Sequence, residues 1–386
     1  LRFEKISLED GLSQSVAYTI LQDKLGFLWI GTQDGLNRYD GHNFTIFRPD
    51  PDDPSTINDR WISSLYEDKQ GYLWIGTHFG GLNRYDPESG TFTHFLNDPD
   101  NPKSLASNRV SAILEDSHGD FWIGTNNGLD RFNRENGEFE HFQNDPDLPT
   151  SISNNNITVL YEDSRGFLWV GTSGGGLNRF NPLTSTFTSY RFSPWDAIGR
   201  NYVSAILEDT PESLWVATHG GLVLFNTENG VLVRYEHSEN IPASLADNVV
   251  LSLYKDKSNT LWVGTRSGLD LYQPETRNFV HYRHSGSNPT SLSNDNILTI
   301  YEDSGGILWF GTSGSGLNKY NSQQRKFTYY RTEEGNPNSL SSNVIFPIYA
   351  DDNGMIWIGA EGGGLDRLDP ALGEFTHYKH DPENPG

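Results

Sequence analysis

Two histidines stand at the same place in two versions of one short phrase, GTHFGG around His78 and ATHGGL around His219. A histidine ordinarily titrates near neutrality, so a pair of them at one cleft has the chemistry of an acid and a base. A second set of residues has the chemistry of recognition. Arg60 and Trp61, then Arg109, Asn156, Tyr202 and Asn296, lie at or next to a position seven residues ahead of a recurring aspartate. Aromatic planes stack on the C–H faces of sugar rings, while amide and guanidinium groups bind hydroxyls. These eight residues are the candidate ligand site. No candidate catalytic residue is assigned.

The remaining chemistry is thin. His94, His141, His281 and His377 share one place in a repeated FxHF/Y phrase and read as a structural feature. There is no HExxH and no GxSxG elbow leading from a strand into a helix, and no glycine loop with a phosphate-binding lysine. The glycine runs SGGGLN and EGGGLD lie between two strands. Paired acids such as Glu115 and Asp116 recur at one hairpin and point to turns. Neither a metal nor another cofactor is implied by any spacing.

The elements that position the candidates follow from a repeat. Trp29, Trp74, Trp122, Trp169, Trp215, Trp262, Trp309 and Trp357 recur every 45 to 48 residues, each six residues after an aspartate. In the third copy VSAILED, FWIGT, LDRFN and FEHFQ read as four short strands, joined by the turns SHGD, NNG and RENGE. A lone meander of this size leaves two apolar faces in water. Stacking such sheets side by side and bending the stack into a ring buries them. The chain is therefore all-β, a β-propeller, with residues 1–386 as one ring of eight four-stranded blades. The alternative is a seven-bladed ring plus an extra unit. The opening LRFEKIS looks like a rim strand and is expected to help close the ring, while the ending DPENPG resembles a linker and suggests a longer array. In such a ring each unit's first strand lines a channel, so the candidates converge at one mouth. Tryptophan and the glycine two residues after it sit between blades, and Asn37, Asn83 and Asp130 cap turns.

Composition narrows the partners. Lys and Arg number 28 against 51 Asp and Glu, a net charge of −23. Nucleic acid and anionic membranes both need basic patches and are excluded. With no cysteine there are neither disulfides nor thiolate metal sites. No apolar run reaches the roughly 20 residues of a membrane span, and no signal peptide opens this chain.

The phrases LWIGT-x-x-GGLNRYD and the linker DPDNPKSLASNRV resemble the two-component regulator propeller repeat, across essentially the whole chain. That resemblance implies a periplasmic sensor region of a membrane-anchored hybrid histidine kinase or diguanylate cyclase. It implies a non-catalytic module that detects a small molecule or oligosaccharide, or that contacts another protomer or protein. The repeats are also somewhat similar to those of streptogramin lyase, which keeps a propeller lyase or hydrolase as the competing expectation. The fifth unit departs from the pattern: Ala217 replaces the glycine, and its linker RFSPWDAIGRNYVS, with Trp195, is irregular.

Overall fold

A computed structural model of the chain describes residues 1–193, 198–321, 330–333, 335–351, 353–370 and 372–379. Trp195 lies outside them. The chain falls into two compact units, Leu1–Ser322 and Gln323–Gly386. Together they hold the eight four-stranded antiparallel sheets that the repeat predicts.

The first sheet shows the pattern. After β1 (Glu4–Ile6) come β2 (Ala17–Gln22), β3 (Leu28–Thr32), β4 (Gly35–Tyr39) and β5 (Phe44–Phe47), and β2 to β5 form an up-and-down meander. The aspartate of each hairpin does more than turn the chain. One oxygen of Asp23 accepts the N–H groups of Leu25 and Phe27, closing the turn, and the other accepts Trp29 Nε1–H at 2.7 Å. The same indole–carboxylate bond recurs at Asp68–Trp74, Asp116–Trp122 and Asp163–Trp169, each at 2.8 Å. A buried indole N–H left without an acceptor would cost about 1–3 kcal/mol, so a six-residue spacing is held fixed.

In the first seven sheets the tryptophan packs on an aromatic ring of the next sheet, as Trp29 does on Tyr85 at 5.3 Å, Trp74 on Phe121 at 4.7 Å and Trp122 on Phe180 at 5.0 Å, whereas Trp357 stacks on Tyr378 of its own sheet. Removing such a side chain from water stabilises the pair of sheets by about 4–6 kcal/mol, as an upper bound. The glycine two residues on lets the sheets meet. A Cβ on Gly124 would lie 2.7 Å from Ile157 Cγ2 of the next sheet. In the fifth unit Ala217 takes the glycine's place, paired with Ala205 and buried in one cluster with Val250. That sheet keeps four strands, with additional register shifts at Glu208/Thr210 and Leu224/Phe225.

The eight sheets are as expected, but the ring closes with seven, the second of the two arrangements legible in the sequence. The reason is β1. It pairs antiparallel with Leu317–Asn321 (Glu4 with Lys319, Lys5 with Asn318, Ile6 with Leu317) and so supplies the rim strand of the seventh sheet. Trp309 of that sheet then packs on Tyr39 of the first at 6.1 Å, and the Gly316 N–H donates to Ser15 O at 2.8 Å. The channel is lined by seven first strands, from β2 round to Ile297–Glu302, and encloses about 290 Å³. The second unit carries one sheet of its own, with strands Ile345–Ala350, Ile356–Ala360, Gly364–Asp369 and Glu374–Tyr378. Its first strand is apolar and open, Phe346 being 68% exposed.

Candidate functional site

Main-chain hydrogen bonds build the mouth of the channel. In the second to seventh sheets the residue just ahead of the first strand offers its carbonyl to the N–H of the residue just after the second. His78 donates to Trp61 O at 3.0 Å, Asn126 to Arg109 O at 3.2 Å and Ser173 to Asn156 O at 2.9 Å. His219 donates to Tyr202 O at 3.3 Å, Arg266 to Val249 O at 3.1 Å and Ser313 to Asn296 O at 3.1 Å. A second set of bonds runs between sheets, as from Gly35 N–H to Arg60 O at 2.7 Å and Gly81 N–H to Asn108 O at 2.9 Å. The predicted residues therefore sit on a rigid circle of backbone, and each is held beside one residue of its own hairpin.

That register produces two stacked pairs. Trp61 lies on His78 with ring centres 4.1 Å apart and planes 11° from parallel; Tyr202 lies on His219 at 3.9 Å and 13°. The first pair grows into a cluster, with Tyr18 stacked on Trp61 at 5.9 Å and Phe79 edge-on to His78 at 4.5 Å. Phe79 is 69% exposed, an apolar ring offered to solvent at the mouth. The Asp59 carboxylate braces this sector by accepting the N–H groups of Trp61, Phe79 and Gly80 at 3.2, 2.6 and 3.1 Å. Tyr18 escapes a sequence reading because it occupies the bulge of β2, where other first strands carry Ser63, Ser111, Thr158 and Ser204. A bulge re-aims its side chain, and Gln33 Nε2 donates to the Tyr18 hydroxyl at 2.6 Å. In the other strands the bulge hydroxyl is used up within the ring: Ser111 donates to Ile157 O at 2.6 Å, Ser204 to Val250 O at 2.6 Å, and Ser63 to Val110 O.

The mouth histidines are held neutral near pH 7. Burial lowers the pKa of His78, with the Arg109 charge adding to it, and burial lowers that of His219, with Arg266 adding. Arg109 also acts electrostatically on the Tyr202 phenol, whose pKa burial raises. A charge on the third sheet is thus felt at both aromatic pairs. Among the described residues neither His78 nor His219 hydrogen-bonds a carboxylate, so no acid–base couple is assembled. The rim histidines do have carboxylate partners: His141 Nδ1 meets Asp130 at 2.6 Å and His281 Nδ1 meets Asp270 at 2.6 Å. Their other nitrogens are engaged by Pro102 O and Pro242 O, so these are braces between blade and linker. The same Asp130 also accepts the Ala106 N–H at 2.8 Å, and Asn83 accepts that of Asn58 at 3.3 Å; these bonds tie the strand to a linker 24 and 25 residues back, where the sequence suggested capping of a local turn. The stretch GTSGG at 171–175 has the letters of a nucleophile motif but connects two strands, and Ser173 there is tied by its N–H to Asn156.

Not every predicted residue joins the aromatic pairs. Arg60 turns to Asp34 of the first sheet at 3.9 Å. The Asn156 N–H donates to Asn154 Oδ1 at 2.8 Å. The Asn296 amide oxygen is buried and makes no hydrogen bond within the protein. Among the described residues no cluster of His, Asp or Glu has the arrangement of a metal site, and no helix is long and apolar enough to cross a membrane.

The profile of the two-component regulator propeller matches residues 11–34, 56–79, 104–127, 151–174, 244–267 and 291–314. The extracellular domain of the hybrid two-component system BT3049 from B. thetaiotaomicron superposes with a TM-score of 0.73 at 27% identity, over 99% of this chain and 51% of that one. Histidine kinase P4 of Formosa agariphila is 52% identical over 56 residues, 14% of this chain and 4% of that protein. Virginiamycin B lyase from Staphylococcus aureus shares the fold, with a TM-score of 0.60 at 14% identity over 82% of this chain and 98% of that one. The chain thus spans about half of one solved relative and a small part of the kinase. Six of its eight units carry the two-component regulator propeller repeat.

Proposed function

We propose that the chain is the extracytoplasmic, ligand-sensing propeller of a membrane-anchored signalling receptor, working in the periplasm and without catalysis. It takes a small molecule or oligosaccharide at the channel mouth. The observation that carries this reading is the pair of aromatic stacks, Trp61–His78 and Tyr202–His219, fixed on one rim by backbone hydrogen bonds. Flat, pre-ordered rings lose little entropy on binding and suit the faces of sugars. The likeness to the extracellular domain of BT3049 supports a receptor setting. The lyase reading has less behind it, because the likeness there is one of fold, and the mouth histidines lack acid partners.

The test is a thermal-shift screen of oligosaccharides. A ligand present at 100 times its Kd stabilises by about 2.7 kcal/mol, enough to raise the melting temperature. The rise should vanish in Trp61→Ala/Tyr202→Ala while the unliganded protein still melts cooperatively. A response that survives both substitutions removes the site from the mouth, and turnover of the bound sugar refutes the non-catalytic reading.

A further inference from the structure

We infer that the channel itself holds a second binding site, beneath the mouth, for a small uncharged molecule with an apolar body and one hydrogen-bond donor. The inference stands apart from the mouth reading, because it concerns other residues and another ligand. It starts from the bulge that every first strand of the ring carries, two residues inward from the mouth. The bulge residues all line the channel, and they fall into two groups. Ser63, Ser111, Thr158 and Ser204 each donate a hydroxyl to the carbonyl just ahead of the next sheet's bulge, at Val110, Ile157, Val203 and Val250. These bonds run without a break from the second sheet to the sixth. There the hydroxyls stop. The bulge residues of the sixth, seventh and first sheets are Leu251, Leu298 and Tyr18.

Those three sheets are neighbours round the ring, so the three side chains form one arc of the channel wall. All three are half-buried. The leucines have nothing to donate, and the Tyr18 hydroxyl lies out beside Gln33, 2.6 Å from its Nε2. The carbonyls at the matching places, Ile297, Ala17 and Ile62, therefore receive no bulge hydroxyl. Ile297 O is met instead by Ser252, at the longer distance of 3.4 Å. An apolar arc beside carbonyl lone pairs takes a hydrocarbon edge and one N–H or O–H. The charge of the wall narrows the class further. The chain carries a net charge of −23, yet among the described residues none that lines the channel is Asp, Glu, Lys, Arg or His. A charged solute there would lose water and find no counter-charge. The enclosed volume of about 290 Å³ lies just below the roughly 300–1,000 Å³ of pockets for drug-sized ligands, so the occupant has the size of a single substituted ring.

The test uses benzyl alcohol, benzyl methyl ether and benzylamine on the 386-residue chain with its leucine methyls labelled. Benzyl alcohol should shift the methyl NMR signals of Leu251 and Leu298 through the ring current of its phenyl group, with a Kd in the millimolar range, the reach of so few atoms. The ether, which has no donor, should bind several-fold more weakly. Benzylamine, a cation at neutral pH, should bind about tenfold more weakly or worse. Leu251→Ser/Leu298→Ser should abolish binding and keep the fold, since serine already stands at this place in the second, third and fifth sheets. Methyl signals that stay still overturn the inference, as does affinity for benzyl alcohol that survives the double substitution. Equal binding of the ether or of the amine overturns the class assigned to the ligand. The wild-type methyl shifts decide the matter even where the variant is unstable. Failure here leaves the oligosaccharide screen untouched, because none of these probes is a sugar and the variant retains Trp61 and Tyr202.

Discussion

Phe3→Ala should loosen the whole ring, although it is only the third residue of the sequence. Phe3 is buried among Phe310 at 5.7 Å, Tyr320 at 5.9 Å and Tyr282 at 6.4 Å. Its N–H donates to Thr290 O at 2.9 Å, and β1 follows directly, pairing with Leu317–Asn321. Truncating a buried phenylalanine costs about 3–5 kcal/mol, part transfer and part cavity. The unit Leu1–Ser322 unfolding as one body would carry an entropy of about 0.7 kcal/mol/K, at roughly 2.1 cal/mol/K per residue. The melting temperature should then drop by about 4–7 °C. Glu4→Ala, which removes the exposed Glu4–Lys319 contact at 3.2 Å, should change stability by less than about 1 kcal/mol. The assay is calorimetry of both variants, with hydrogen exchange read at Leu317–Asn321 to show that the rim edge has opened. An unchanged melting temperature in Phe3→Ala would mean that another segment can fill the rim, and that β1 is not what closes seven blades.

Other outcomes follow from the same structure. Asp163→Ala strands the Trp169 indole and two turn N–H groups, and should cost about 2–4 kcal/mol by urea denaturation. Gly124→Ala should cost about 1–3 kcal/mol by overpacking against Ile157 and Ala112, read by the same denaturation. The Asp130 and Asp270 carboxylates raise the pKa of His141 and His281 above the ordinary value near 6.5. Their contribution to stability is therefore full below about pH 6.5 and disappears as pH rises through the raised folded values. Melting curves from pH 6 to 9 should show this decline, and His141→Gln/His281→Gln should flatten it.

How much of this was legible beforehand depends on the range of the interactions. The blades were, because Trp and Asp recur in phase and each blade closes on itself within about 47 residues. The bond from Asp23 to Trp29 was not, since a six-residue spacing has no meaning until a hairpin brings its two ends together. The blade count of the ring was open for a sharper reason: closure depends on three residues, Glu4–Ile6, meeting a strand more than 300 positions away. At the mouth, Trp61 drew notice because tryptophan is out of place in the repeat there, and convergence followed from the topology. The stacks on His78 and His219 came from a main-chain register that no side-chain pattern reveals. Asn156 was chosen by position alone. Tyr18 was overlooked because a bulge, invisible as letters, turns it toward Trp61.

A crystal structure of the chain with the saccharide that most raises its melting temperature tests the central claim most directly. The expected result is a sugar ring against the Trp61–His78 or Tyr202–His219 stack. Density for the sugar between rim strands, or on the opposite face of the ring, would contradict it.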